Sequence, residues 1–317
     1  VGSEMCIRDR VNRLQTRIAK ATQEKKWNTV KRLQYLLTHS YYAKALAVRK
    51  VTTNKGKKTP GVDGEVWSTP AAKMRGVLTL TDKGYQAKPL RRVFIEKKGK
   101  KAKRPLGIPC MYDRAMQALY ALALDPVSET TADTKSFGFR KGRCAQDACE
   151  YIFTALSRSF SPQWVLEGDI KGCFDHISHD WLVEHIPMDK SVLKQFLKAG
   201  FVFREELFPT DEGTPQGGVI SPILANMALD GMQQVLSDHF DLSVKGEVSA
   251  FVHNKSKVNL VRYADDFIVT AATKEIAEEA KEVIRDFLQT RGLELSEEKT
   301  VITHIAVSYT HLRAHET

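Results

Sequence analysis

Three aspartates at two places in the chain have the residue type and the setting of a metal-dependent active site. Asp169 ends a mostly apolar stretch, and Asp265 and Asp266 begin 96 residues later between two apolar stretches. Adjacent carboxylates among apolar residues repel each other and lose hydration unless a cation neutralises them. Carboxylate oxygens suit Mg²⁺, and three such groups can hold two ions that activate a hydroxyl and stabilise a leaving pyrophosphate. The alternatives are an ordinary hairpin turn at 265–266 and a strand-end cap at Asp169.

A glycine-rich loop at residues 213–222 lies between these two places in the sequence. Its glycines allow the backbone to approach a ligand closely, and Gln216 offers both a hydrogen-bond donor and an acceptor. Ser221 followed by Pro222 is a typical helix start, with serine at the N-cap and proline at the first helical position. Taken alone, a Gly/Pro loop before a helix is usually only a loop.

The patterns around these residues predict a mixture of helices and strands. Apolar residues at three- and four-residue spacing predict amphipathic helices over 11–41, whose polar faces carry basic side chains. Helices come first and mixed elements follow, so the predicted class is α+β. The later predictions are a loop at 52–64, strands at 91–95 and 104–108, a helix at 113–124, a strand at 164–170, one helix from Ser221 through Met227, Met232 and Val235, a strand hairpin at 260–270 and a helix at 274–290.

The charge is strongly uneven along the 317 residues. The net charge is +10, but residues 10–58 carry +13 and residues 88–104 carry +8, which leaves −11 for the remainder. Two basic blocks on an otherwise acidic chain predict a polyanionic partner, and nucleic acid is the favoured one. The alternative for either block alone is a solvated lysine-rich face.

The composition excludes several other classes of protein. The longest apolar stretch, 118–124, is far shorter than the roughly 18 residues that span a bilayer, so no membrane partner is expected. No stretch near residue 1 has the apolar core of a signal peptide. The five cysteines include no Cys-x-x-Cys pair, which excludes a disulfide scaffold and a tandem zinc site and favours a cytoplasmic location. Cys173, His176 and His179 do not complete a tetrahedral ligand set, so zinc is not expected.

Three motifs have the order and approximate spacing of the palm motifs of reverse transcriptases. They are Asp-Ile-Lys-Gly-Cys-Phe-Asp at 169–175, Pro-Gln-Gly-Gly at 215–218 and Tyr-Ala-Asp-Asp at 263–266. Over residues 11–305 the chain resembles the reverse transcriptase/maturase encoded by bacterial group II introns. Each motif is weak alone, whereas six or more in order are highly specific. The supporting segments lie at 59–64, 104–109, 137–140 and 292–300.

The resemblance implies a role for each aspartate and for several other residues. Asp169, Asp265 and Asp266, with the main-chain carbonyl of Ile170, would hold two Mg²⁺ ions. The implied nucleotide-binding residues are Lys97 and Arg104 on the triphosphate, Phe174 beneath the sugar, Gln216 in the pocket wall and Lys299, which would protonate the pyrophosphate.

Two features qualify these implied roles. Lys299 has an equally weighted alternative as a plain exposed lysine. Glu96 stands where members of the family commonly have proline, which affects the register of the basic loop that carries Lys97.

The resemblance also implies a fold and a set of partners. The fold would be the fingers and palm of a right-hand polymerase, with an antiparallel palm sheet backed by helices and a basic helical N-terminal extension. The partners would be an RNA template, intron RNA, a DNA primer or RNA–DNA hybrid, and deoxynucleoside triphosphates. The basic residues expected to contact RNA are Arg13, Arg17, Lys20, Lys25, Lys26, Lys31, Arg32, Lys55, Lys57 and Lys58.

The predicted domain ranges are 11–87 for the basic helical extension and 88–306 for the fingers and palm. Residues 1–10 and 307–317 continue neither neighbouring pattern, and we expect them to be translated adapter sequence. The chain is also expected to stop before the helical thumb of the family. Two alternatives stay open: a splicing maturase fragment that binds RNA without catalysis, and a polymerase of the retron or another reverse transcriptase lineage. The segment at 59–64 favours the intron lineage.

Overall fold

A computed structural model describes residues 2–96, 103–158, 160–215, 217–242 and 255–305. The elements in chain order are α1 (Gly2–Gln23), α2 (Trp27–Thr38), α3 (Tyr41–Thr53), α4 (Pro70–Thr79), β1 (Leu90–Glu96), β2 (Lys103–Ile108), α5 (Met111–Thr131), α6 (Ala145–Leu156), β3 (Trp164–Asp169), α7 (Cys173–His176), α8 (His179–His185), α9 (Lys190–Leu197), β4 (Phe201–Phe203), β5 (Glu206–Phe208), α10 (Ser221–Leu229), α11 (Met232–His239), β6 (Asn259–Tyr263), β7 (Asp266–Ala271), α12 (Lys274–Gln289) and β8 (Val301–His304).

The chain forms two compact units, each built from two segments. Unit 1 combines the residues up to Thr131 with Phe174–Met227, and unit 2 combines Ala132–Cys173 with the residues from Ala228 onward. The predicted ranges 11–87 and 88–306 divide the chain differently, because each unit draws on two separated stretches of sequence.

The helical part of unit 1 confirms the predicted amphipathic pattern. Ile18 of α1 and Val30, Leu33 and Leu37 of α2 are buried, and α1 and α3 both pack against α5. All ten basic residues expected to contact RNA are exposed. Residues 2–10, which the sequence sets apart as a tail, continue α1 without a break. The residues of the other expected tail, 307–317, lie outside the described part of the chain.

The sheet of unit 1 contains the predicted β1–β2 hairpin. Its strand order is β2-β1-β4-β5, with β1 antiparallel to β2 and parallel to β4. Glu96 is the last residue of β1 and pairs with Lys103, so this glutamate continues the ladder of the hairpin. The three-residue strands β4 and β5 are too short to give an alternating pattern, and the sequence analysis does not find them.

Unit 2 is built on an antiparallel sheet of order β6-β7-β3-β8. The amphipathic helix α12 packs against β3, β7 and β8 through buried residues that include Ile284 and Leu288. Thr273 caps this helix, because its hydroxyl accepts a hydrogen bond from the Ile276 amide at 3.3 Å. The strand at 164–169, the hairpin at 259–271 and the helix at 274–289 match the predictions closely.

Two predicted helices differ from the observed ones. The single helix predicted from Ser221 through Val235 is two helices, α10 and α11, because Gly231 takes a left-handed conformation (φ 97°) that ends the helical path. Ser221 is the first residue of α10 and not the predicted cap before it, and its hydroxyl donates to the Pro215 carbonyl at 2.9 Å. The helix predicted at 113–124 extends to Thr131 through Pro126, with Leu124 and Val127 buried around the proline.

Among the described residues, no helix combines the length and the apolar character required to cross a bilayer.

Candidate active site

The carboxylates singled out by the sequence meet at one end of the sheet in unit 2. Asp169 is the last residue of β3 and Asp266 is the first residue of β7, and the two are direct partners in the antiparallel register. Residues in such positions have Cβ atoms about 4.5–5.5 Å apart. Asp265 belongs to the two-residue turn that joins β6 to β7. The strand end and the hairpin turn therefore bring three acidic side chains to one place.

Close packing next to Asp169 fixes this register. Gly168 pairs with Phe267, and a Cβ atom on Gly168 would lie only 2.1 Å from the Phe267 ring. The ring therefore covers the glycine, and no larger residue fits at position 168 without displacing it. This contact holds β3 and β7 together one residue before the facing carboxylates.

The acidic cluster is electrostatically strained. Partial burial raises the pKa of Asp266, and the negative charges of Asp265 and Asp169 raise it further. The positive charge of Lys299 opposes the rise. Like charges that face each other across a strand pair destabilise it unless a cation lies between or beside them.

Lys299 supplies a cation at this point. Its Nζ donates to Asp169 Oδ2 at 2.8 Å, and this bond raises the pKa of Lys299. The lysine reaches the carboxylate because the Ser296 amide donates to the Asp169 carbonyl at 2.8 Å, which ties the 296–300 turn to the end of β3. The Lys299 side chain remains 57% exposed, so a ligand in the cleft can approach it.

The main chain after β3 forms a bridge that does not use the Ile170 carbonyl. Ile170 forms an antiparallel bridge with Leu295, whose two hydrogen bonds use the Asp169 carbonyl and the Lys171 amide. In this type of pair the central residue points its own carbonyl away from the partner segment. The carbonyl that the resemblance assigns to the metal site is therefore not used by this bridge.

The donor set fits a hard divalent cation. Two facing carboxylates, a third in the adjacent turn and a nearby carbonyl are the oxygen ligands that Mg²⁺ prefers. Among the described residues, no group of three acidic, histidine or cysteine side chains is arranged closely enough to hold a metal ion. Asp169 forms an ion pair with Lys299. A cation at the cluster would take over the neutralising role of the lysine ammonium.

The cluster opens into a cleft of about 380 Å³ within unit 2. Asp169, Asp266 and Lys299 form its polar side, and Tyr263 is 42% exposed beside them. Apolar side chains form the remaining wall, among them Ile152 of α6 and Phe267 of β7. The cleft can hold the apolar face of a sugar or base next to carboxylates that can bind a cation and a lysine that can bind phosphate.

A second cleft, of about 500 Å³, lies within unit 1 and contains Phe174. It is lined by β1, β2, β4 and the 209–215 loop, and the Arg92 guanidinium stacks on the Phe201 ring at 3.7 Å from its centroid. The Thr214 amide donates to the Phe174 carbonyl at 2.6 Å, which fixes the loop beside α7. His179 Nε2 lies 2.7 Å from the Gly213 carbonyl and holds the same loop from the other side.

Comparison with protein-family models places these motifs in one family. The model described as "Reverse transcriptase (RNA-dependent DNA polymerase)" matches residues 95–314, and the model described as "N-terminal domain of reverse transcriptase" matches residues 5–80. The chain belongs to the reverse transcriptase family. The antiparallel sheet of unit 2, with Asp169 at a strand end and Asp265 and Asp266 at a hairpin, is the palm of this fold. The matched ranges also include residues 5–10 and 307–314, which lie inside the two expected tails.

Several curated proteins resemble this chain. The group II intron-encoded protein LtrA of Lactococcus lactis subsp. cremoris is 32% identical over 91% of the chain and 57% of its own length. Protein YkfC of Escherichia coli (strain K12) is 32% identical over 87% of the chain and 80% of its own length. The chain thus spans little more than half of LtrA. Among solved structures, telomerase from Candida albicans aligns with a TM-score of 0.48 and 15% identity, over 69% of this chain and 42% of that one.

Of the nucleotide-binding residues that the resemblance implies, the structure describes some and not others. Lys97 and Gln216 lie outside the described residues, and Arg104 is described only by its backbone, which pairs with Ile95. Phe174 lies in unit 1, whereas Lys299 lies in unit 2 beside Asp169.

Sequence reasoning missed two arginines, one that lines the unit 1 cleft and one that is buried under the β6–β7 turn. Arg92 lines the unit 1 cleft, and the alternation of β1, which places it on the same face as Phe94, is the signal that could have found it. Arg262, two residues before Ala264, is fully buried beneath the turn that joins β6 to β7. A charged residue inside an otherwise apolar strand is the signal in that case.

Proposed function

We propose that this reverse transcriptase family member catalyses RNA-templated DNA synthesis. In this reaction a primer 3′-hydroxyl attacks the α-phosphate of a deoxynucleoside triphosphate and releases pyrophosphate. The observation that carries the proposal is the direct pairing of Asp169 with Asp266 next to the Asp265 turn. Nucleotidyl transfer requires mainly positioning and charge neutralisation, which divalent cations held by such a cluster would provide.

The proposed metal ligands are Asp169, Asp265, Asp266 and the Ile170 carbonyl, which would hold two Mg²⁺ ions. Bound Mg²⁺ supplies activation of the primer hydroxyl and stabilisation of the leaving group. Asp169 and Asp266 face each other at the cleft, and their mutual repulsion favours cation binding. Lys299 keeps a proton on Nζ beside Asp169 and would donate it to the departing pyrophosphate.

The proposed nucleotide site uses residues from both basic and apolar segments. Lys97 and Arg104 would bind the triphosphate, because fixed cations match phosphate charge. Phe174 would lie beneath the deoxyribose, and Gln216 would line the pocket. The unit 1 cleft supports the assignment of Phe174 and Gln216, because it is lined by Phe174 and by Pro215, the residue before Gln216.

The proposed nucleic-acid partners are an RNA template, a DNA primer or RNA–DNA hybrid, and intron RNA. The ten basic side chains from Arg13 to Lys58 support RNA binding, because all of them are exposed. Similarity to a group II intron-encoded protein supports intron RNA as one ligand and a maturase role in the full-length protein. The cytoplasmic location expected from the cysteine pattern remains part of this proposal.

The test compares Asp265→Asn and Asp266→Asn with the matched exposed control Asp286→Asn on α12. Each variant is assayed for primer extension on an RNA template and for RNA binding by gel shift. We expect the two site variants to lose about 10³-fold or more in extension rate while RNA binding stays unchanged. The control should match the unsubstituted chain in both assays.

Two other outcomes would contradict the proposal. Intron RNA binding without any primer extension by the unsubstituted chain would identify a non-catalytic splicing maturase. Extension that survives both site substitutions would place the active site elsewhere.

A further inference from the structure

A fully buried arginine lies directly beneath the catalytic turn. Arg262 is 0% exposed, and its Nη1 donates to the Ala264 carbonyl at 3.1 Å. Ala264 is the residue immediately before Asp265, so this hydrogen bond ends on the turn itself. Arg262 therefore links the interior of unit 2 to the peptide that carries the catalytic pair.

The other arm of the guanidinium is fixed by a buried carboxylate. Arg262 Nη2 donates to Asp230 Oδ1 at 2.6 Å, and the Asp230 side chain is only 8% exposed. Asp230 lies in the link between α10 and α11. Asp133 fixes this link in turn, because its carboxylate accepts hydrogen bonds from the Gly231 amide at 3.1 Å and the Gln233 amide at 3.2 Å.

The backbone around Arg262 is held as firmly as its side chain. Its amide donates to the Lys135 carbonyl and its carbonyl accepts from the Phe137 amide, both at 2.9 Å. Gly138 then lies against the turn, since a Cβ atom on it would be 2.3 Å from the Ala264 nitrogen. The 135–138 segment and the guanidinium thus support the turn from two directions.

The turn requires this support because its backbone conformation is unfavourable. Ala264 has φ 58°, in the left-handed region where a Cβ atom clashes with the following carbonyl oxygen. Residues in that region persist when their surroundings fix them. A small change of this turn would redirect both Asp265 and Asp266.

We propose that Arg262, held by Asp230, is a positioning residue that sets the direction in which the turn presents Asp265 and Asp266 to the metal ions. This inference rests on the proposed function and adds a residue to it. A buried ion pair is often no more stabilising than a well-packed apolar pair, so a role in geometry accounts for its presence better than a role in stability.

The test uses Arg262→Lys, Asp230→Asn and the double variant Arg262→Met/Asp230→Leu, which removes both buried charges together. The matched control is Arg291→Lys, a half-buried arginine of unit 2 that donates to the Ala228 and Phe287 carbonyls and does not contact the turn. Mn²⁺ binding is measured by electron paramagnetic resonance without nucleotide. The variant Asp266→Asn, which removes a proposed metal ligand, gives the reference loss of Mn²⁺ affinity. Thermal unfolding and primer extension are measured on the same samples.

We expect Arg262→Lys and the double variant to bind Mn²⁺ about tenfold more weakly and to extend primers at least tenfold more slowly. The KM for the deoxynucleotide should stay unchanged, and the double variant should unfold within a few degrees of the unsubstituted chain. The lysine retains the positive charge, but its single Nζ replaces two guanidinium nitrogens that each contact one partner. We therefore expect the charge alone not to restore Mn²⁺ binding or the extension rate. Asp230→Asn should show a smaller Mn²⁺ defect, and the control none.

Three other results would distinguish failure of the Arg262 inference from failure of the proposed polymerase activity. A lowered unfolding temperature with normal Mn²⁺ affinity and normal rate in the folded fraction would make Arg262 purely structural and overturn the inference. Normal Mn²⁺ binding by the unsubstituted chain without primer extension would contradict the proposed polymerase activity alone, because the Mn²⁺ comparison still tests Arg262. A chain that binds no Mn²⁺ would overturn both.

Discussion

At the scale of single residues, Lys299 combines a structural contact with a chemical capacity. Its ammonium neutralises Asp169 at 2.8 Å, yet more than half of its side chain is exposed to the cleft. A lysine that only balances charge is replaceable by arginine, whereas one that delivers a proton is not, because an arginine holds its proton too tightly. Substitution therefore distinguishes the two roles.

We predict that Lys299→Arg and Lys299→Ala lower the rate of single-nucleotide incorporation by a similar factor, about 10²-fold, as expected for loss of a general acid. The measurement is a single-turnover rate across pH 6 to 9, with Lys274→Ala on the exposed surface of α12 as control. Recovery of most of the rate in Lys299→Arg would show that only the positive charge matters.

Phe174 gives a prediction about the choice of sugar. Its carbonyl is bonded to the Thr214 amide, so the ring projects from a fixed backbone into the unit 1 cleft. A ring beneath the sugar leaves no room and no hydrogen-bond partner for a 2′-hydroxyl, and burying that hydroxyl unpaired costs about 1–3 kcal/mol. We therefore expect Phe174→Val to raise ribonucleotide use relative to deoxynucleotide use by about tenfold or more.

The assay is single-nucleotide primer extension with each kind of substrate. Phe160→Val, at an exposed aromatic residue of unit 2, serves as the control and should leave the preference unchanged. An equal loss of rate for both substrates in Phe174→Val would mean that Phe174 only contributes packing.

At the scale of elements, the contact between Gly168 and Phe267 explains why β3 and β7 keep one register. We predict that Gly168→Ala lowers the free energy of unfolding by about 1–3 kcal/mol, because the added methyl group must displace the ring. Gly56→Ala is the control, since a Cβ atom there meets nothing closer than 3.7 Å. Urea unfolding of the single variants and of Gly168→Ala/Phe267→Ala measures the effect. Additive losses in the double variant would contradict the steric explanation.

A buried carboxylate fixes the segment before β1 to α5. Asp113 accepts hydrogen bonds from the Tyr85 hydroxyl at 2.8 Å and the Lys88 amide at 3.2 Å, and burial raises its pKa to about 6. Because this pKa lies above that of the unfolded chain, the folded protein binds the proton more tightly. The stability contributed by this group therefore rises as pH falls from 7 towards 4.

Asp113→Asn removes this pH dependence. Between pH 7 and pH 5 we expect the unsubstituted chain to gain about 1 kcal/mol of unfolding free energy relative to Asp113→Asn, which is the linkage expected for such a shift. Denaturant unfolding at both pH values provides the measurement. A constant difference between the two proteins would show that Asp113 has an ordinary pKa.

The sequence predicts the elements whose patterns are long and misses those that tertiary contacts create. The β6–β7 hairpin and α12 are predictable because their alternating and helical periods cover whole elements. The break between α10 and α11 cannot be predicted from a local pattern, because it depends on Gly231 and on the Asp133 carboxylate nearly 100 residues earlier. The meeting of Asp169 and Asp266 follows from motif order, whereas the Arg262–Asp230 pair depends on a packing that no local pattern encodes.

At the scale of the whole molecule, charge is the dominant feature. The chain carries +10 overall, yet the 10–58 block alone carries +13. Its exposed basic side chains lie on α1, α2 and α3 and in the turns that follow α1 and α3. Binding of such a surface to nucleic acid releases condensed counterions, so the affinity falls as salt rises. The slope of log affinity against log salt then counts the phosphates that are contacted.

The last prediction uses this slope. For the unsubstituted chain on single-stranded RNA we expect a slope of several units, and for the triple variant Lys25→Gln/Lys31→Gln/Arg32→Gln a slope smaller by about 2, because each lost phosphate contact removes about 0.7. The triple variant Lys194→Gln/Lys198→Gln/Lys274→Gln changes the net charge by the same amount outside the 10–58 block. Fluorescence anisotropy between 50 and 300 mM salt, about the physiological range and above, measures all three proteins. An equal reduction of slope in both triple variants would mean that net charge alone governs binding, whereas a reduction confined to the first assigns the phosphate contacts to the α2 region.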